Sequence, residues 1–303
     1  MKKETIIKYG KFLVKIALTC VALYFVFQKI DFRETWSAIT NIHLGYFALA
    51  VLAFNASKII SAFRLNLFYD YLKLWLRQGY NLKLYYLGMF YNLFLPGSIG
   101  GDGYKVYLLK QHFEVKTRQL ISATLLDRLS GMLALGMLAC LFTIFTEFPK
   151  YLPYIDYVAA FATLIAIPAF YFIVKYFFTL FKPVFFPTLH LSFWVQASQV
   201  ICVIFLLKAL GVETYYTEYL ALFLLSSAVS VLPISIGGVG VRELVFYYGI
   251  GLLGEDVTQA IALSLLFFII TAFSSLVGFP FVFNLGKPVS RKENLTENSI
   301  ANN

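Results

Sequence analysis

The 303 residues are 60% hydrophobic and only 14% charged, with a mean hydropathy of +0.75. Soluble domains carry roughly 25% charged residues, so this composition excludes a water-coated globule and turns much of the exterior towards lipid. The net charge of +9 is spread in short basic clusters between apolar stretches, which is the pattern of the positive-inside bias and not of a nucleic-acid surface.

Met1 to Lys15 is rich in lysine and leads into an apolar run that continues to Ile30 without a small-x-small exit. It reads as an uncleaved first span rather than a secretory signal. Residues 12–30 thus open a series of six apolar segments, followed by 45–67, 119–146, 155–174, 190–211 and 257–284. Each comes close to or exceeds the about 20 residues that a bilayer requires. Arg64 lies near enough to the end of the second segment to snorkel, whereas Lys58 lies deeper.

Residues 84–113 and 218–254 are also apolar, but proline and glycines break each into two arms of half-membrane length. Such a region either crosses as a broken helix or returns as a re-entrant hairpin, and charge separates the two readings. Re-entry puts Lys73, Arg77, Lys83, Lys116, Arg118, Lys175 and Lys182 on one side with both termini, and Glu147, Asp156, Glu213, Glu255 and Asp256 on the other. Crossing scatters them. Re-entry with cytoplasmic termini is therefore expected.

Asp127 and Arg128 lie inside the 119–146 span, where they form either an interfacial pair or part of a site. Adjacent residues on a helix face different ways, so two different partners are expected. In 190–211, Ser192, Gln196 and Gln199 share one face, as interhelical hydrogen-bonding groups or as the lining of a polar cavity. Lys208 reads as a snorkelling side chain.

Cys20, Cys140 and Cys202 lie in apolar runs without CxxC spacing and read as small hydrophobes. His43, His112 and His190 have no ligand spacing, and no phosphate-binding GxxxxGK[ST] loop occurs. Neither a metal nor a cofactor is expected. The segment 286–303 is polar and reads as a disordered cytoplasmic tail after a single domain over 1–285.

Leu95-Pro96-Gly97-Ser98-Ile99-Gly100-Gly101-Asp102-Gly103-Tyr104-Lys105 aligns without gaps to Leu232-Pro233-Ile234-Ser235-Ile236-Gly237-Gly238-Val239-Gly240-Val241-Arg242, at an offset of 137 residues (Pro96 to Pro233). The double occurrence, inside two similarly broken apolar regions, points to a duplication of about 31–147 and about 155–284. Three full spans separate the copies, so re-entry makes the repeat inverted in topology, with its site near the midplane. The fold class expected is an all-α polytopic membrane protein, with about six full spans and two re-entrant broken-helix hairpins.

Proline ends each first arm, and the glycines permit a tight turn and close approach. The second arm then starts with open N–H groups and the positive end of a dipole, a seat for an anion. Lys105 and Arg242 each follow the last glycine by two residues. Tight helix packing accounts for the glycines but not for the repeated cation.

The paired elements, and the stretch Leu125-Leu126-Asp127-Arg128-Leu129, resemble the lysylphosphatidylglycerol synthase transmembrane family, also called flippase-like, over about residues 10 to 285. Asp127 stands where that family frequently has Glu. The resemblance implies a membrane domain that moves or binds an anionic lipid, such as aminoacylated phosphatidylglycerol or a polyisoprenyl-phosphate-linked sugar. In bifunctional members a cytoplasmic domain transfers lysine to phosphatidylglycerol; this chain stops after a short tail, so lysyltransfer is not expected. The alternatives to a flippase are a phosphatidylglycerol lysyltransferase and a non-transporting scaffold in cell-envelope lipid or glycolipid synthesis.

The lipid contacts expected are Lys105 and Arg242 on the headgroup phosphate, with Arg64, Arg128, Asp127, Asp102 and Glu243 around it. Glu243 is also placed to neutralise Arg242. Ser98, Ser235, Gly100, Gly101, Gly103, Gly237, Gly238 and Gly240 form the turns that admit the headgroup. The setting expected is the bacterial cytoplasmic membrane. Beyond an anionic lipid, the partners considered are a separate lipid-synthesis enzyme and a second copy of the chain, and no nucleic acid.

Overall fold

A computed structural model describes residues 32–94, 100–231, 240–286 and 288, and among these the regular structure is helical. The expected first span 12–30, the turn residues 95–99 and 232–239, and nearly all of the 286–303 tail lie outside the described residues. In chain order the helices are α1 (Phe32–Thr40), α2 (Leu44–Tyr71), α3 (Gln78–Phe94), α4 (Gly100–His112), α5 (Thr117–Ile144), α6 (Ile155–Phe177), α7 (Phe185–Ala209), α8 (Tyr216–Val231), α9 (Val241–Gly251), α10 (Val257–Leu276) and α11 (Pro280–Phe283).

Five stretches are long and apolar enough to cross a membrane: Leu44–Tyr71, Thr117–Ile144, Ile155–Phe177, Thr179–Ala209 and Val257–Phe283. They overlap the five expected segments that the described residues cover, the fourth starting at Thr179 where 190 had been expected. α6 is the most peripheral, with Leu164 and Phe177 exposed by 78% and 80%. Large apolar side chains left open to this extent fit hydrocarbon and not water.

Each interrupted region contains two arms that pack on one another. In the first, α3 and α4 run antiparallel: Tyr91 meets Tyr104 with ring centroids 4.4 Å apart, and the Gly101 N–H donates to Asn92 Oδ1 at 2.8 Å. Gly88 and Gly101 allow the backbones to touch, since a Cβ on Gly101 would lie 1.9 Å from the Gly88 carbonyl oxygen. α8 and α9 pack likewise, with Gly249 seated on Leu222. The first arms start at Gln78 and Tyr216, upstream of the expected 84 and 218. Asn81 donates to the Ala62 carbonyl at 2.6 Å.

The order α2–α3–α4–α5 recurs as α7–α8–α9–α10 with starts close to the 137-residue offset. The packing follows the same order: α3 contacts α10 and α8 contacts α5. The two equivalent helices α2 and α7 are packed antiparallel. The His43 N–H, at the start of α2, donates to the Ala209 carbonyl at the end of α7 (2.9 Å), while Phe68 and Tyr71 meet Phe181 just before α7.

Two hydrophobic cores result. One gathers Phe54, Cys202, Phe223, Phe246 and Phe267; the other gathers Leu65, Phe68, Leu84, Leu126 and Leu189. On α2, α5 and α7 alike, the polar residues fall in sequence between a member of one core and a member of the other. Ser57, Lys58, Ser61 and Arg64 lie between Phe54 and Leu65; Asp127 and Ser130 between Leu126 and Leu135; and Ser192 and Gln196 between Leu189 and Cys202. A polar layer therefore separates the cores at mid-helix depth.

Candidate functional site

Two carboxylates of the layer, Asp127 and Asp102, hold cations by contact. Asp127 accepts from Arg64 Nε at 2.7 Å, and Arg64 Nη1 also donates to Ser192 Oγ at 3.0 Å, tying α2 to α5 and α7. Gly131 leaves the room this requires, because a Cβ there would stand 3.1 Å from Arg64 Nη1. Arg64 does not snorkel as expected. It is 4% exposed, and a buried carboxylate within reach replaces the water that a snorkelling side chain would seek.

Asp102 receives two cations, Lys105 at 2.6 Å and Arg128 in a close ion pair, which joins α4 to α5. Lys105 Nζ also lies 5.1 Å from the centre of the Tyr85 ring. Asp127 and Arg128 thus have different partners on different helices, as adjacent helical positions must.

The second copy of the repeat is arranged differently. Glu243 accepts from the Gly240 N–H at 2.6 Å and from Ser264 Oγ at 2.8 Å, capping α9 from a glycine at φ +85°. It does not neutralise Arg242 by contact, as had been expected, because the cap and the hydroxyl hold both its oxygens. Arg242 lies over the Phe267 ring, 4.9 Å from guanidinium carbon to ring centre, and its Nε is buried without a hydrogen-bond partner among the described residues.

Two of the amide donors expected to be open are already bonded. The Gly101 N–H is taken by Asn92 and the Gly240 N–H by Glu243. Short polar side chains beside a helix start satisfy such donors first. Ser98, Ser235, Gly237 and Gly238 lie outside the described residues, while Gly100 and Gly103 belong to the first turn of α4.

A cavity of about 600 Å³ opens beside the Asp102–Arg128 pair, between α4 and α5. Gly103 lines it on the α4 side, and Val106, Ile121, Leu125 and Met132 give it apolar walls. A polar pair on an apolar wall suits an amphiphile. Among the described residues no group of three or more His, Cys, Asp or Glu could hold a metal.

The profile of the family described as Lysylphosphatidylglycerol synthase TM region matches residues 12–278. The chain belongs to that family. The match spans both copies of the repeated element and every helix of the polar layer, and with the five membrane-length helices it makes the chain a multi-pass membrane protein. A comparison with curated proteins finds no match.

In this member of the lysylphosphatidylglycerol synthase TM family, the sequence marked most of the charged layer but missed its connections. Asn92 as the cap of α4 was not anticipated, though an amide side chain in an apolar arm four residues before Pro96 is a visible signal. The Ser192 and Gln196 stripe turns inward to other helices: Ser192 meets Arg64, and Gln196 Nε2 donates to the Gly131 carbonyl at 3.2 Å. This is interhelical bonding, the simpler of the two readings. Lys208 is exposed at the end of α7, over the Tyr46 ring.

Proposed function

We propose that this chain is a flippase-like domain that takes an anionic lipid headgroup into the layer between two halves of inverted topology. Equivalent helices packed antiparallel, with α3 against α10 and α8 against α5, support a two-fold axis lying across the helices. The setting proposed is the bacterial cytoplasmic membrane, with both termini inside.

The observation that carries this reading is charge. Among the described residues the layer holds five cations, Lys58, Arg64, Lys105, Arg128 and Arg242, against three carboxylates, Asp102, Asp127 and Glu243. The residues 95–99 and 232–239 contain no ionisable side chain. The excess of two positive charges lies among helices of membrane length, where each charge costs on the order of 3 kcal/mol to insert. An anionic headgroup offsets that cost, and the neighbouring cavity accepts its chains.

Reconstituted protein is expected to move fluorescent phosphatidylglycerol between leaflets faster than phosphatidylcholine, read by dithionite quenching of the outer leaflet. Lys105→Gln combined with Arg242→Gln returns the rate to that of empty vesicles, with expression intact. Equal rates for the two lipids, or an unchanged rate in the double variant, would reject the assignment.

Topology has a separate test. Single cysteines at Arg77 and Lys116, which flank the first hairpin, are expected to react from the cytoplasmic side, and those at Glu213 and Glu255 from the opposite side. Reaction of Arg77→Cys and Lys116→Cys from different faces would remove re-entry.

A further inference from the structure

Among the described residues, two of the five cations in the layer have no carboxylate in contact. Lys58 is near the midpoint of the 28-residue α2, the depth at which a charge is hardest to accommodate. Among the described residues its recorded neighbours are the Phe54 ring, 4.4 Å from Nζ to the ring centre, and, within electrostatic reach, Cys202, Arg64 and Arg242. Arg242 comes from the other half and lies over Phe267 with an orphaned Nε.

Phe54 and Phe267 are themselves in edge contact, with centroids 5.6 Å apart and planes at 81°. The two cations therefore bracket one aromatic pair, one from each half of the repeat. A cation over a ring gains about 2 kcal/mol when desolvated, which falls short of the insertion cost of a charge at this depth. Two cations within reach of each other also repel. Both deficits are removed by one anion with more than one negative oxygen.

We propose that Lys58 and Arg242 form a seat for a lipid headgroup carrying two negative charges, a terminal phosphate monoester or a diphosphate, and that this seat rejects aminoacylated phosphatidylglycerol. The assignment rests on the anionic-lipid reading above and narrows it. A phosphate monoester above its second pKa of about 6 matches the excess of two cations. Phosphatidylglycerol supplies one charge. Its lysyl ester carries one phosphodiester against two ammonium groups, a net cation that the layer repels. Arginine adds the planar fork that engages phosphate oxygens in pairs, and lysine adds a point charge.

The test uses the full-length protein in phosphatidylcholine nanodiscs at pH 8, each doped with phosphatidic acid, phosphatidylglycerol or lysyl-phosphatidylglycerol of identical chains, and read by native mass spectrometry. Phosphatidic acid is expected to be retained about tenfold over phosphatidylglycerol, the equivalent of roughly 1.4 kcal/mol. The lysyl lipid is expected at the phosphatidylcholine background. Lys58→Gln and Arg242→Gln each remove the preference for phosphatidic acid, and Lys58→Arg keeps it, which separates charge from folding.

Equal retention of phosphatidic acid and phosphatidylglycerol would overturn the two-charge seat while leaving the anionic-lipid reading in place. Retention of the lysyl lipid above phosphatidylglycerol would overturn the rejection and the seat with it. Retention of neither anionic lipid would overturn both readings. A preference that survives both glutamine variants would place the phosphate elsewhere and overturn the assignment of Lys58 and Arg242.

Discussion

Asp127→Leu is expected to cost about 3–5 kcal/mol of stability, the range for removing one partner of a buried ion pair. Arg64 cannot escape the loss. It is buried by α5 and α7, its remaining hydrogen bond is to the neutral Ser192, and its guanidinium lies against Gly131, where a Cβ would stand 3.1 Å from Nη1. The charge would then stand in the interior without compensation. Heating the detergent-solubilised variant and following its monodisperse fraction should show a large fall in melting temperature.

The double variant Arg64→Met, Asp127→Leu should recover most of that fall, since removing both charges removes the need for compensation. An Asp127→Leu protein that melts with the wild type would mean that Arg64 does not depend on Asp127. A double variant no better than the single would mean that the side-chain shapes matter and the charges do not.

Gly101→Ala should prevent the first hairpin from closing, at a cost above about 3 kcal/mol, the upper end for overpacking. The added Cβ would lie 1.9 Å from the Gly88 carbonyl oxygen and 2.6 Å from its carbon, and both belong to backbone that no rotamer change can move. The arms would have to separate, which strains the bond from the Gly101 N–H to Asn92 and displaces Asp102, the next residue, from Arg128 on α5. Gly136→Ala is the matched control, because a Cβ there meets nothing within 4 Å. There the lower chain entropy of alanine is expected to raise stability slightly, by about 0.4–1 kcal/mol. Equal folded yields for the two variants would disprove the close approach of α3 and α4.

The helical class and the positions of the five described spans were legible because a bilayer imposes one condition on length and polarity, and a window of sequence reports it directly. The repeated element was legible in the same way, and its offset of 137 residues recurs in the starts of α2 and α7, of α3 and α8, and of α5 and α10 to within a few residues.

Partner choice was not legible, and the two copies show why. Lys105 and Arg242 occupy equivalent positions, yet Lys105 pairs with Asp102 three residues earlier, while the matching position before Arg242 is Val239. Arg64 appeared free to snorkel until α5 brought Asp127 to it from 63 residues away. Glu243 appeared to face its neighbour but caps its own helix.

The sequence by itself determined what must leave water, where the chain breaks and which element is duplicated, because these depend on local composition and backbone chemistry. Only the tertiary structure decided which cations find carboxylates and which, Lys58 and Arg242, are left stacked on aromatic rings. That outcome depends on which faces of distant helices meet, and hydrophobic periodicity constrains the face of a helix that is buried without naming the residue it will be buried against.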